Sequence, residues 1–441
     1  MFAFVSQSLD WILYKRPHIL PIFFAWLWTV WFSKVIPAKW YKIFKDNHNP
    51  TTSVIIPVVD EEDQLFRKVL KEITEQKPSQ VIVVANGTHS PTILQASIDY
   101  NVEYLYLETA GKRGAIAEGL KRVTNEVTVL VDSDTLWTEN TLKELVKPFS
   151  NPRVGGVTTH QKILSPERNL LTRFANWMEE TRSSNSMPAQ SVFGRVGCLP
   201  GRTIAFRTSI LKEVIDEFLT DEFLGVHLEI SDDRTLTNYT LKLGYDTVYQ
   251  RSSVVYTDAP VKLGAFVKQQ YRWARGSQYN TIRMWPWLIT HAPLTGLHFT
   301  SDVVTPFLTV GMLVHMFKSI FGRKKKDYKL LNSPRFASWK VQVPLAVIGA
   351  CISAGIKNIY QIRKDPKEVV RLPIYAVLLT VLMTPIRIWG FMTSAYHASW
   401  MTRKNAYKGT LQKKRSWKQH IPLLSGLLAL GLVIWGGLKS P

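Results

Sequence analysis

The sequence is short of cysteine and of acid. Its two cysteines, Cys198 and Cys351, lie far apart in segments of different character, which argues against a disulfide framework or a cysteine-based zinc site. Against 34 Asp and Glu stand 55 Lys and Arg, a formal net charge of +21 over 441 residues. Such an excess suits nucleic acid or the anionic face of a membrane. Position decides between them. The basic stretches "FGRKKKDYK" (321–329), "KNIYQIRKDPK" (357–367) and "RKNAYKGTLQKKRSWK" (403–418) flank apolar, aromatic-rich runs, the pattern of membrane segments and their interfacial anchors. The expected partner is a lipid bilayer, with no nucleic acid.

Acid is absent from "HILPIFFAWLWTVWFSKVI" (18–36), which is nearly long enough to span hydrocarbon and lacks a small-residue cleavage signal, so it reads as a retained anchor. Residues 1–14 are less apolar and suit an interfacial helix. Lys34, Lys39, Lys42 and Lys45 follow the anchor and favour a cytosolic side for what comes next. From about 50 to 258 the texture is soluble α/β. The short apolar runs "TSVIIPVV" (52–59), "QVIVVAN" (80–86), "VEYLYLE" (102–108) and "VTVLVDSD" (127–134) alternate with helix-like stretches at 63–76, 90–99 and 111–124. That alternation predicts a mostly parallel sheet covered on both faces, with ligands beyond the strands' carboxyl ends. Further apolar spans are expected at 301–320, 341–356, 373–394 and 421–438; the loops between them are nearly all basic, which leaves their orientation open. The expected division is an N-terminal membrane anchor (1–45), an α/β domain (46–260), interfacial helices (261–300) and a C-terminal transmembrane region (301–441).

Three constellations carry chemistry. "LVDSDT" sets Asp132 and Asp134 two apart after a buried strand, where two carboxylates can share a hard divalent cation that neutralises a diphosphate; a solvated turn with a helix cap is the plainer reading. Asp232 and Asp233 precede a helix, either as cap or as a general base for a hydroxyl. "QQYRW" places Gln269, Arg272 and Trp273 on one helix face, offering an amide, a phosphate-binding guanidinium and a flat indole floor for a sugar ring; an interfacial Arg/Trp anchor is the alternative.

Taken in order, a strand-end acid, "GKR", Asp-x-Asp, "GCLPGR", an Asp pair and Gln-x-x-Arg-Trp resemble the processive membrane-embedded synthases of glycosyltransferase family 2, the hyaluronan, chitin and cellulose synthases. The resemblance covers roughly 50 to 280 and extends loosely beyond. It implies a GT-A-like cytosolic catalytic domain fused to transmembrane and interfacial helices. The implied reaction is inverting transfer from a UDP-sugar to a growing polysaccharide, coupled to export, with Mn2+ or Mg2+. It implies Glu61 and Lys112 as donor contacts, with Asn86 where an acid is usual. Asp132 and Asp134 match the metal-binding acids, and Cys198 and Trp273 the acceptor site. Asp233 matches the base, beside Asp232, while Gln269 and Arg272 match the diphosphate grip. "SWMTRK" (399–404) loosely resembles a gating loop with Thr402 and Arg403 as its contacts. The resemblance further implies a multi-pass integral protein, of the plasma membrane. A non-processive transferase acting on a lipid acceptor, like ceramide glucosyltransferase, shares these motifs. A transporter or scaffold carrying a decayed transferase domain is the reading from another class.

Overall fold

A computed structural model describes residues 19–227, 229–321, 351–396 and 416–440. The chain folds as two compact units: Ser33–Phe299 with Thr393–Ile421, and the remainder, comprising residues up to Phe32, Thr300–Met392 and Pro422–Pro441.

The first of these units is built on an eight-stranded sheet. Strands β1 (Thr52–Val58), β2 (Gln80–Asn86), β3 (Glu103–Leu107) and β4 (Val127–Val131) form its parallel part, and Ile55 pairs with both Ile82 and Leu130. Every residue of β1 and β4 is buried, as expected of runs of Val and Ile covered on both faces. Helix α1 (Ile19–Ala38), most of which belongs to the other unit, precedes these strands, and α2 (Asp63–Thr74), α3 (Pro91–Asp99) and α4 (Lys112–Arg122) separate them. α2 turns Phe66, Val69, Leu70 and Ile73 inward at helical spacing. These strands and helices agree with the sequence reading to within a few residues.

The rest of the sheet is mixed. Short β5 (Leu136–Trp137), β6 (Val154–Ile163), β7 (Thr203–Arg207) and β10 (Asp246–Thr257) complete the order β3-β2-β1-β4-β7-β6-β10-β5. β7 runs antiparallel to both β4 and β6, and β10 parallel to β6. β8 (Glu222–Phe223) and β9 (Val226–His227) make a separate hairpin whose two turn residues, Leu224 and Gly225, both have positive φ, the geometry that matches strand twist. Helices α5 (Thr141–Val146), α6 (Leu170–Thr181), α7 (Met187–Val192), α8 (Thr208–Leu219), α9 (Asp232–Lys242) and the long α10 (Leu263–His291) complete the unit.

The second unit is helical and apolar. Pro293–Lys318 of α11 (Pro293–Phe321), the stretch Glu368–Met392 and Trp417–Lys439 are each long and apolar enough to cross a membrane. Those helices contain the expected spans at 301–320 and 421–438 and most of 373–394; most of 341–356 lies outside the described residues. Small residues let the helices close up: a Cβ on Gly437 would fall 2.4 Å from the Gly311 carbonyl, and one on Gly426 2.6 Å from Met392.

Candidate active site

From β1 the chain proceeds outward to β2 and β3, whereas β4 leads toward β7. The carboxyl ends of neighbouring β1 and β4 therefore open a crevice at a reversal of strand order, where open α/β sheets take their ligands. Across it Ser133 Oγ donates to Glu61 Oε2 at 2.8 Å. Asn86, at the end of β2, is buried; its Nδ2 donates to Val58 O at 3.1 Å and its Oδ1 accepts from the Gly111 N–H at 3.0 Å. It clips the end of β1 to the segment after β3.

Lys112 opens α4 and reaches over the crevice. Its ammonium lies 2.6 Å from Asp132 Oδ1 and 3.0 Å from Asp232 Oδ2, so one cation joins the Asp-x-Asp turn to the acid pair. Burial pulls its proton affinity down, but the two carboxylates more than offset this and hold it above the ordinary lysine value. The paired acids diverge. Burial would raise Asp232, yet Lys112 outweighs it and holds that carboxyl below the usual range. Asp233 is pushed up by burial and by the charge of Asp232, which Lys112 and two backbone N–H groups only partly relieve. Those donors are Gly201, 3.0 Å from Asp233 Oδ2, and Arg234, 2.7 Å from Oδ1. Two neighbouring titratable groups driven in opposite directions are a mark of acid–base chemistry.

α10 supplies the third constellation. Gln269 and Arg272 are half-buried and Trp273 is 38% exposed. Burial lowers the Arg272 guanidinium, opposed by Asp132, Asp232, Asp233 and Asp134, whose field it shares. The Arg202 guanidinium carbon lies 5.6 Å from the Trp273 ring centroid. Cys198, half-buried, packs against Met284, Leu288, Ala292 and Phe299. Burial and the charge of Asp233 push its thiol up to about 12, which keeps it neutral. Thr402 and Arg403 lie outside the described residues.

Several residues that shape the site look unremarkable in the sequence. Ser231, just before the acid pair, has left-handed backbone (φ 59°), and a Cβ on Gly276 would stand 2.7 Å from its Cβ; only glycine lets α10 pass so close. Buried Arg234 donates to Ser277 Oγ at 2.6 Å and Thr281 Oγ1 at 2.7 Å, with its guanidinium 3.7 Å from the Phe299 ring centroid. Buried Arg113 donates to Phe218 O at 2.8 Å and faces Asp221 at 3.4 Å. The only forward signal for these was their place within the motifs: Arg113 in "GKR", Arg234 after the acid pair, Gly276 after "QQYRWAR".

No group of three or more His, Cys, Asp or Glu among the described residues is arranged to hold a metal ion. The donor set nevertheless fits a divalent ion that arrives with a diphosphate, since one or two carboxylates plus phosphate oxygens suffice for Mg2+-like ions, and the Asp-x-Asp turn after β4 carries two carboxylates, Asp132 and Asp134.

The family described as glycosyltransferase-like family 2 matches residues 48–276. A hyaluronan synthase from Streptococcus pyogenes is 26% identical over 377 residues, 82% of this chain and 86% of that protein. An N-acetylglucosaminyltransferase from Azorhizobium caulinodans is 24% identical over 369 residues, 81% of this chain and 88% of that protein. In three dimensions the chain resembles a mannosyltransferase from Pyrobaculum calidifontis, solved in complex with GDP-Man and Mn2+, with a TM-score of 0.54 at 18% identity, over 82% of this chain and 97% of that one.

Proposed function

This chain belongs to the glycosyltransferase-like family 2, and from that premise we propose that it transfers sugar from a UDP-sugar to the end of a growing polysaccharide. The transfer inverts the anomeric carbon, the product stays bound between additions, and synthesis is coupled to passage across the membrane, which we take to be the plasma membrane. The protein is a GT-A-like membrane glycosyltransferase. The observation that carries it is the divergence of the acid pair, with Asp232 tied to Lys112 and Asp233 pushed up beside it.

In this reading Asp233 takes the proton of the acceptor hydroxyl, a role suited to a carboxylate whose proton affinity is raised. The acceptor oxygen attacks the anomeric carbon as the bond to the diphosphate breaks, and UDP leaves with both electrons. Lys112 and Arg272 face the charge that gathers on the leaving diphosphate, which is electrostatic stabilisation by fixed cations. Asp132 and Asp134 would hold a Mn2+ or Mg2+ ion, which supplies further charge neutralisation there. Glu61 and Gln269 line the donor side, and Trp273 with neutral Cys198 offers an apolar floor for the acceptor. Thr402 and Arg403 belong to the proposal as donor contacts. The names of the relatives support N-acetylglucosamine as the first sugar to test.

The test uses purified protein in detergent with Mn2+ or Mg2+, supplied with UDP-N-acetylglucosamine, UDP-glucose and UDP-glucuronate singly and in pairs. UDP release and product size are followed together. A long polymer is expected. Single-sugar products on lipid would replace the polymer reading with a lipid transferase, and no UDP release from any donor would overturn the proposal.

A further inference from the structure

The segment Pro200–Gly201–Arg202 touches the Asp-x-Asp turn, the acid pair and the α10 motif. The Gly201 N–H holds Asp233, the Arg202 carbonyl accepts the Asp132 N–H at 3.0 Å, and the Pro200 carbonyl accepts Gln161 Nε2 at 3.0 Å. The Arg202 side chain goes the other way, toward the Trp273 indole. It is nearly buried and fixed at its far end: Nη1 donates to Gln161 Oε1 at 2.8 Å and to Glu179 Oε1 at 3.1 Å. Glu179 is in turn held by Arg182, which donates to its other oxygen at 2.6 Å. A buried carboxylate between two guanidinium groups has little freedom to move, because leaving either would strand a charge. Trp273 is by contrast the partly exposed member of the set, and what fixes an exposed ring is the surface against which it rests.

We propose that Arg202, anchored by Glu179 and Gln161, is a positioning residue for the acceptor: it sets the plane of the Trp273 indole on which the acceptor sugar stacks, and does not act on the donor. This rests on the reading of Trp273 as acceptor floor. A cation against an aromatic face is an orienting contact, and guanidinium favours it over ammonium because it is planar and weakly hydrated.

The experiment compares wild type, Arg202→Met, Arg202→Lys, Glu179→Gln, Trp273→Ala and the Arg202→Met/Trp273→Ala double variant. UDP affinity is measured by calorimetry with Mn2+, and product size and transfer rate with whichever UDP-sugar the wild type uses. Arg202→Met should keep UDP affinity within about twofold while transfer falls about tenfold and products shorten, the weight of one partly exposed cation–aromatic contact. Arg202→Lys should recover only part of the loss, and Glu179→Gln should fall between. In the Trp273→Ala background the Arg202→Met loss should vanish, since the two act as one unit. An unchanged Arg202→Met variant, an equal loss in both backgrounds, or a parallel loss of UDP affinity would overturn the inference. If the wild type itself transfers no sugar, the functional reading has failed instead.

Discussion

In the first half of the sheet β1, β2 and β4 bury Val54, Ile56, Val83 and Val129 under α2 and α3, and Ile55, Ile82, Val84 and Leu130 under α4 on the opposite face. From β7 on, Ile204, Phe206, Phe218 and Leu236 continue an apolar core, and buried guanidinium groups fasten the elements in addition: Arg113, reaching from α4, holds the end of α8, Arg202 the β6–α6 pair, and Arg234 joins α9 to α10. The difference is one of tolerance. A hydrocarbon layer accepts swaps that keep its volume, whereas a guanidinium fork leaves several partners unpaired when removed. The half that offers a cradle relies on packing, and the half that carries Asp233 and Trp273 adds charged ties to it.

The sharpest way to test this contrast is at its working end. Asp233→Asn should bind UDP normally and lose transfer by about a thousandfold; normal turnover would remove Asp233 from its role. The same residue sets a pH limb. Because burial and Asp232 raise its proton affinity, it is protonated and unable to accept a proton at pH values where an ordinary carboxylate is already free. The transfer rate should thus fall as pH falls, beginning above the usual carboxylate range, and should drop about tenfold per unit below the limb. A flat acid profile would contradict this. Arg234→Met should cost about 3 kcal/mol by stranding its partners on α10, against about 1 kcal/mol for Ile82→Val in the first half. Thermal unfolding measures both, and equal losses would erase the distinction between the halves. Smallest, Ser133→Ala removes the bond to Glu61 and should weaken UDP binding by about 1 kcal/mol or less, read by calorimetry.

The same contrast explains what could be read in advance. The strands of the first half are unbroken Val/Ile runs and announce themselves. β6 reads "VGGVTTHQKI" and β10 "DTVYQRSSVVYT"; their buried Thr and Gln residues make no apolar pattern, because their partners are other polar groups far off in the chain. Asp132 and Asp232 were legible as acids, but that Lys112 bridges them depends on a fold that brings together positions 100 residues apart. Arg113 and Arg234 look like surface charge by composition, and only the buried carbonyls and hydroxyls around them show otherwise.

The contact between Ser231 and Gly276 has a consequence for how this sequence can drift. Gly276 admits no Cβ while Ser231 stays as it is, and Ser231 needs a residue that accepts left-handed backbone. The turn bearing the acid pair and the helix bearing Gln269, Arg272 and Trp273 are therefore spaced by two small residues that must vary together or not at all. In a library randomised at both positions, the survivors should be small at each, with glycine as the substitute for Ser231.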